Sequence, residues 1–257
     1  MNRIEHAFYQ KKAFIPFITA GDPDLETTKR LVLGMAKAGA DLIELGIPFS
    51  DPVAEGPVIQ AADLRALSGG VTTDKIFLMV EELRKECDVP LAFMTYINPV
   101  YTYGTERFMK RCNEVGVDAL IVPDMPYEEK EELKPYCEEY GIILISLIAL
   151  TSKERIRKIA KEAQGFIYCV SSLGVTGVRS EMGRGLKEML QQVKEVTDIP
   201  CAIGFGIATP EQASEMAAIA DGVIVGSAIV DMVGRHGKDC IPYVEEFVYK
   251  MKAACRI

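Results

Sequence analysis

Histidine is nearly absent from this 257-residue chain: His6 and His236, near the two ends, are the only ones. That scarcity sets aside the histidine-based zinc sites and the Ser–His and Cys–His catalytic pairs, which need an imidazole beside the metal or nucleophile. Paired cysteines are missing as well. The seven cysteines, at 87, 112, 137, 169, 201, 240 and 255, form no C-x-x-C motif, and their number is odd. They read as free thiols filling core and helix positions in a reducing cytoplasm. No apolar run approaches the ~20 residues of a membrane span. The opening stretch MNRIEHAFYQKK has no apolar segment, so it does not read as a signal peptide. An excess of positive charge is also missing. Lys plus Arg is 29 and Asp plus Glu is 37, a net charge of −8. Nucleic acid and anionic membrane both call for a basic footprint, so neither is expected as a partner. A small anionic substrate stays open, because it answers to local donors.

What the chain does have is apolar residues in short, continuous runs. They occupy residues 14–19, 42–45, 91–94, 119–122, 142–147, 166–170, 201–203 and 222–225. Eight continuous runs predict parallel strands buried on both faces. Between them lie helix-periodic segments such as DLETTKRLVLGMAKAGA and TPEQASEMAAIA, opening on Asp or Thr caps. A weak echo, AKAGADLIELG, NEVGVDALIVPD and AAIADGVIVGS, repeats a helix end, a turn, an Asp and a strand. About 32 residues per unit suits a closed (β/α)8 TIM barrel as one domain over residues 1–257. Residues 3–11 predict an extra N-terminal helix at the barrel bottom, and 241–254 the last helix. A doubly wound open sheet is the alternative, but no G-x-G-x-x-G turn follows the first strand.

A barrel carries its active site at the C-terminal ends of its strands. Three glycine-rich segments follow strands six, seven and eight: 174–177, 204–206 and 226–227. Backbone N–H groups there suit a phosphate, with ordinary turn glycines as the alternative. Glu44 lies inside an apolar strand, flanked by Ile43 and Leu45. Alternation turns it inward, where desolvation would raise its pKa toward neutrality and suit it to acid–base work. The alternative is a structural ion pair. The loop 48–57 holds three prolines and two carboxylates, Asp51 and Glu55, either of which could lean over the mouth. Phe17, Tyr96, Tyr168 and Phe205 end strands and suggest a flat apolar substrate part. No strand-end lysine offers a Schiff base, and no strand-end histidine offers an epimerase-type metal site. The residues thus point to a metal-free lyase or isomerase using carboxylates on a phosphorylated, partly aromatic compound.

At these positions the sequence closely resembles the tryptophan synthase alpha chain family. The matching blocks are FIPFITAGDP from Phe14, IELGIPFSDP from Ile43, LGVTG from Leu173, GFGI from Gly204 and GSAIV from Gly226. They run from the first strand to the last. The resemblance implies retro-aldol cleavage of indole-3-glycerol phosphate to indole and glyceraldehyde 3-phosphate. It implies that Glu44 shuttles protons and that Tyr168 stands near it. It assigns Phe17 to the substrate pocket, Gly177, Phe205, Gly206, Gly226 and Ser227 to the phosphate, and Thr176 to a mobile loop. It also implies an alpha2beta2 complex in which the beta chain carries pyridoxal phosphate and this chain carries no cofactor or metal. Pro48, Asp51 and Asn98 fall where the partner surface is expected, near loops 48–57 and 98–104.

One departure stands out. The family block continues D-P-x-A-D-G-P, its second aspartate taking the indole N–H. Here the line is Asp51-Pro52-Val53-Ala54-Glu55-Gly56-Pro57. Glutamate keeps the charge and adds ~1.5 Å of reach, and misplacement of about 1 Å can cost ~10²-fold in rate. Glu55 is expected to serve, less well positioned. Two competing readings are an amino-aldose isomerase and a non-enzymatic subunit that only activates a partner. The Glu44 block and the aromatic mouth argue against the first.

Overall fold

The structure is a computed structural model that describes residues 1–170, 179–204 and 206–256. Nine strands form one parallel sheet: β1 (Ala13–Thr19), β2 (Ile43–Gly46), β3 (Leu91–Met94), β4 (Ala119–Ile121), β5 (Ile143–Leu144), β6 (Ser146–Ala149), β7 (Ile167–Val170), β8 (Cys201–Gly204) and β9 (Gly222–Val225). Their spatial order is β5-β4-β3-β2-β1-β9-β8-β7-β6. The two outermost strands are consecutive in the chain, so the sheet rolls into a nearly closed barrel and an open doubly wound sheet is ruled out. The run expected as one strand over 142–147 is interrupted at Ile145. β5 pairs only with β4 and β6 only with β7. The chain changes partner at that residue, which divides one expected strand into two. Ile145 still donates its N–H to Leu120, at 2.9 Å.

Strand alternation sorts the side chains into two cores. Phe14, Ile18, Ile43 and Leu45 face the surrounding helices in the larger one. Ala13, Ile15, Leu42, Ala92, Ala119 and Ala202 point inward, where small residues keep the narrow interior packed. The N-terminal helix spans Arg3–Phe8, shorter than expected, opened by a capping box between Asn2 and Glu5. It closes the barrel bottom with Ile4, Ala7 and Phe8, and the Phe8 ring lies 5.3 Å from that of Phe166. The last helix, Ile241–Ala254, has the expected bounds.

The repeated aspartate now has a physical role. Asp41, Asp118 and Asp221 each precede a strand and reach sideways to the start of the neighbouring one. Their carboxylates accept the N–H groups of Phe14 (2.8 Å), Leu91 (2.9 Å) and Cys201 (2.9 Å). Each also meets a cation: Lys252 at Asp41 (2.6 Å), Arg84 at Asp118 (2.9 Å) and Lys194 at Asp221 (2.9 Å). These clamps sit at the N-terminal ends of the strands. Among the described residues, no helix is long and apolar enough to cross a membrane.

Candidate active site

At the opposite end a cavity of about 430 Å³ opens. It brings together seven of the residues singled out from sequence: Phe17, Glu44, Glu55, Tyr168, Gly206, Gly226 and Ser227. Thr176, Gly177 and Phe205 lie outside the described residues. Asp51 and Asn98 are exposed, and Pro48 is buried. Asp51 accepts a hydrogen bond from Ser50, and Asn98 accepts one from Thr102.

Glu44 is fully buried on β2, between Phe17 of β1 and Ala92 of β3 in register. Neither carboxyl oxygen has a hydrogen-bond partner among the described residues. Among the described residues, then, no ion pair holds it. Desolvation alone pushes its pKa up to about 8. At neutral pH the group holds its proton and can release it within reach of physiological conditions. Tyr168, half-buried on β7, is close enough to feel that carboxyl. Burial first, and then the Glu44 charge, keep its phenol well above the ordinary range, so it remains a neutral donor.

Glycines at the strand ends make room for these side chains. A Cβ on Gly204 would stand 2.4 Å from the Tyr168 hydroxyl, and one on Gly46 would stand 2.6 Å from the Phe17 ring. Gly206 adopts a φ of 70°, in the region that favours glycine. Gly226 opens the helix Ser227–His236, and no side chain caps that end. Gly226, Ser227 and Ala228 all border the cavity. The free N–H groups of that first turn and the positive end of the helix suit an anion.

Glu55 is half-buried at the rim, and burial raises its pKa. Its carboxyl faces Asp63, which the sequence reading missed. Asp63 lies on the helix Pro57–Ser68 and is 4% exposed. Burial first, and then the Glu55 carboxyl, push it up to about 8, against the Phe49 N–H and the Thr19 hydroxyl, which favour its ionised form. Burial of Ala62, Asp63 and Ala66 together on one face of that helix reveals an unusual buried acid, which the helix's weak apolar pattern does not mark in the sequence. The helix is anchored by a two-pronged contact of Arg65 on buried Asp22, both bonds 2.8 Å. Tyr96 differs from expectation. It is buried outside the cavity lining, its hydroxyl accepts the Ala54 N–H at 3.0 Å, and its ring packs on Phe49. It holds the loop in place and does not form the substrate wall.

Five buried side-chain oxygens lack partners among the described residues: Thr19 Oγ1, both Glu44 oxygens, Glu55 Oε2 and Gln192 Oε1. Three of the five, on Glu44 and Glu55, belong to residues lining this cavity, and buried unmet acceptors mark a place where a ligand completes the bonding. A second cavity of about 90 Å³ lies outside the barrel wall, near Tyr127 and Lys130, and none of those five atoms lines it.

The family profile described as "Tryptophan synthase alpha chain" matches residues 5–256. The chain belongs to the tryptophan synthase alpha chain family. It is 54% identical to the tryptophan synthase alpha chain of Lacticaseibacillus casei over 254 residues, covering 99% of this chain and 96% of that one. Among solved structures it is similar to tryptophan synthase subunit alpha from Legionella pneumophila, with TM-score 0.89, 38% identity, and 99% and 98% of the two chains covered. It is also similar to a chain of the tryptophan synthase a2b2 complex from Pyrococcus furiosus, with TM-score 0.86, 36% identity, and 94% and 98% covered.

Proposed function

We propose that this chain, as a single barrel domain over residues 1–257, cleaves indole-3-glycerol phosphate to indole and glyceraldehyde 3-phosphate. The observation that carries the reading is Glu44: a buried carboxyl without partners among the described residues, beside a neutral tyrosine, in a cavity bordered by an uncapped helix end. Protonated Glu44 gives its proton to indole C3. As a carboxylate it then takes the proton of the glyceryl hydroxyl, and the electron pair of that O–H forms the aldehyde as the carbon–carbon bond breaks. One proton enters and one leaves, so the group ends as it began. Tyr168 donates beside Glu44 and steadies the charge that appears there. The Glu55 carboxylate accepts the indole N–H, which gains positive character when C3 is protonated. Phe17 packs on the flat ring, and Gly206, Gly226 and Ser227 hold the phosphate. Gly177, Phe205 and Thr176 are assigned by resemblance to the phosphate and to the loop that closes on Glu55.

The partner is a beta chain, in an alpha2beta2 complex, which carries the pyridoxal phosphate and receives the indole. Exposed Asp51 and Asn98 and the rim around Val53, 79% exposed, are proposed to face it, together with Pro48. A cytoplasmic location fits the seven unpaired thiols.

The test supplies indole-glycerol phosphate with and without a beta chain and measures indole. Release in either case supports the reading, and none in both refutes it. Glu55→Ala is expected to lower kcat/KM by about 10²-fold or more, and Glu55→Asp to raise it if the extra methylene costs alignment. An unchanged rate in Glu55→Ala would remove Glu55 from the reaction.

A further inference from the structure

The carboxyl pair at the rim goes beyond the family pattern. Glu55 stands in a loop and Asp63 on the buried face of the next helix, and the two carboxyls lie close enough that each shifts the proton affinity of the other. Two facing carboxyls in a site poor in water do not both ionise; they share a proton. The deeper member keeps it, because its charge would be less well solvated. Asp63 is 4% exposed whereas Glu55 is half-buried and borders the cavity. The other groups around Asp63 are the Thr19 hydroxyl on β1, the Phe49 N–H in the loop after β2, and, more distantly, the Tyr96 phenol. The one cation on its own helix, Arg65, is committed to Asp22.

We propose that Asp63 is a positioning residue: it retains the shared proton, donates it in a hydrogen bond to one Glu55 oxygen, and so presents the other oxygen, ionised, toward the indole nitrogen. The pairing answers the length problem raised by the sequence. Glutamate has one more rotatable bond than aspartate, and a second anchor on the helix Pro57–Ser68 restrains it. The proposal rests on the role assigned to Glu55 above. It also limits activity at high pH. Once Asp63 loses its proton, two like charges face each other and Glu55 turns away from the cavity.

Two measurements test it, and the first does not depend on activity. In ligand-free protein carrying [13Cγ]aspartate, the carboxyl carbon of Asp63 is titrated by NMR. It is expected to change near pH 8 in the parent and at a clearly lower pH in Glu55→Gln. Aspartate labelling keeps Glu44 silent. An ordinary titration of Asp63 in the parent, or one unmoved by Glu55→Gln, overturns the pairing. The second measurement is the pH profile of indole release. Asp63→Asn preserves a donor toward Glu55 and is expected to keep kcat/KM within about threefold at neutral pH, while retaining more activity than the parent above about pH 8. Asp63→Leu fills the space without a donor and is expected to lower kcat at least tenfold, with KM moving less. Equal losses in the two variants overturn positioning by hydrogen bond. A parent that releases no indole refutes the proposed function instead, while the NMR titration still decides the pair.

Discussion

Replacing Glu44 with glutamine should stabilise the protein and abolish its chemistry, and the pH dependence of that stabilisation follows from burial. In an unfolded chain this carboxyl ionises near 4.5, whereas in the folded barrel it is held up to about 8. The sign follows from proton uptake. The folded state binds the proton more tightly, so Glu44 favours folding fully below the unfolded value and does so less as the pH climbs through the folded one. Each tenfold difference in proton affinity is about 1.4 kcal/mol. Between pH 4.5 and about pH 7 the folded state therefore loses about 3 kcal/mol through this group. Glutamine cannot ionise. Its amide resembles the neutral acid, so any fixed difference in packing between the two is the same at every pH. Other titrating groups cancel in the comparison. The assay is urea unfolding of both proteins at several pH values from about 5 to 8, read as the difference in unfolding free energy. That difference should grow in favour of Glu44→Gln by about 3 kcal/mol, or roughly 6–12 °C in Tm. Activity should fall by about 10²–10⁴-fold. A difference that stays flat with pH would refute the argument that Glu44 is desolvated without a partner.

Two further substitutions probe the two ends of the barrel. Gly204→Ala would bring a methyl within 2.4 Å of the Tyr168 hydroxyl, so the ring must shift. The fold should lose about 1–3 kcal/mol, and kcat/KM should drop; an unchanged kcat/KM would show that the Tyr168 position does not matter. Lys252→Met leaves the buried Asp41 carboxylate with the Phe14 N–H and, among the described residues, Lys11 as its one remaining cation, each at 2.8 Å. Unfolding free energy should fall by about 3 kcal/mol, while kcat/KM below the melting range should stay close to the parent value.

The strands were legible because a strand covered on both faces leaves no room for polar residues. β3 and β9 have the bounds read from their apolar runs, β1 starts one residue earlier, and β2 is shifted one residue along the chain. The division of the fifth run at Ile145 was not legible. It depends on which neighbour each half bonds to, and composition carries no trace of that. Glu44 was legible because an acid between Ile43 and Leu45 can only face the interior. Asp63 was hidden in AADLRAL, where an acid is ordinary on a solvated helix face. Only the docking of the helix Pro57–Ser68 shows that this turn points inward. Tyr96 was placed at the mouth for its strand-end position, but its hydrogen bond to Ala54 spans 42 residues in sequence and is set by tertiary packing.

The aspartate clamps have a consequence for the chemistry at the far end. Asp41, Asp118 and Asp221 differ from Glu44, Glu55 and Asp63 less in residue type than in company: each of the first three has a lysine or arginine against it. A carboxylate with a fixed counterion is a rivet, whereas one without it is a proton carrier. The barrel therefore divides its labour by where it puts its cations. The pressure on this sequence at the mouth is then to withhold something: a lysine or arginine arriving at an interior strand end beside Glu44 would pin it as an anion and turn a working acid into one more rivet.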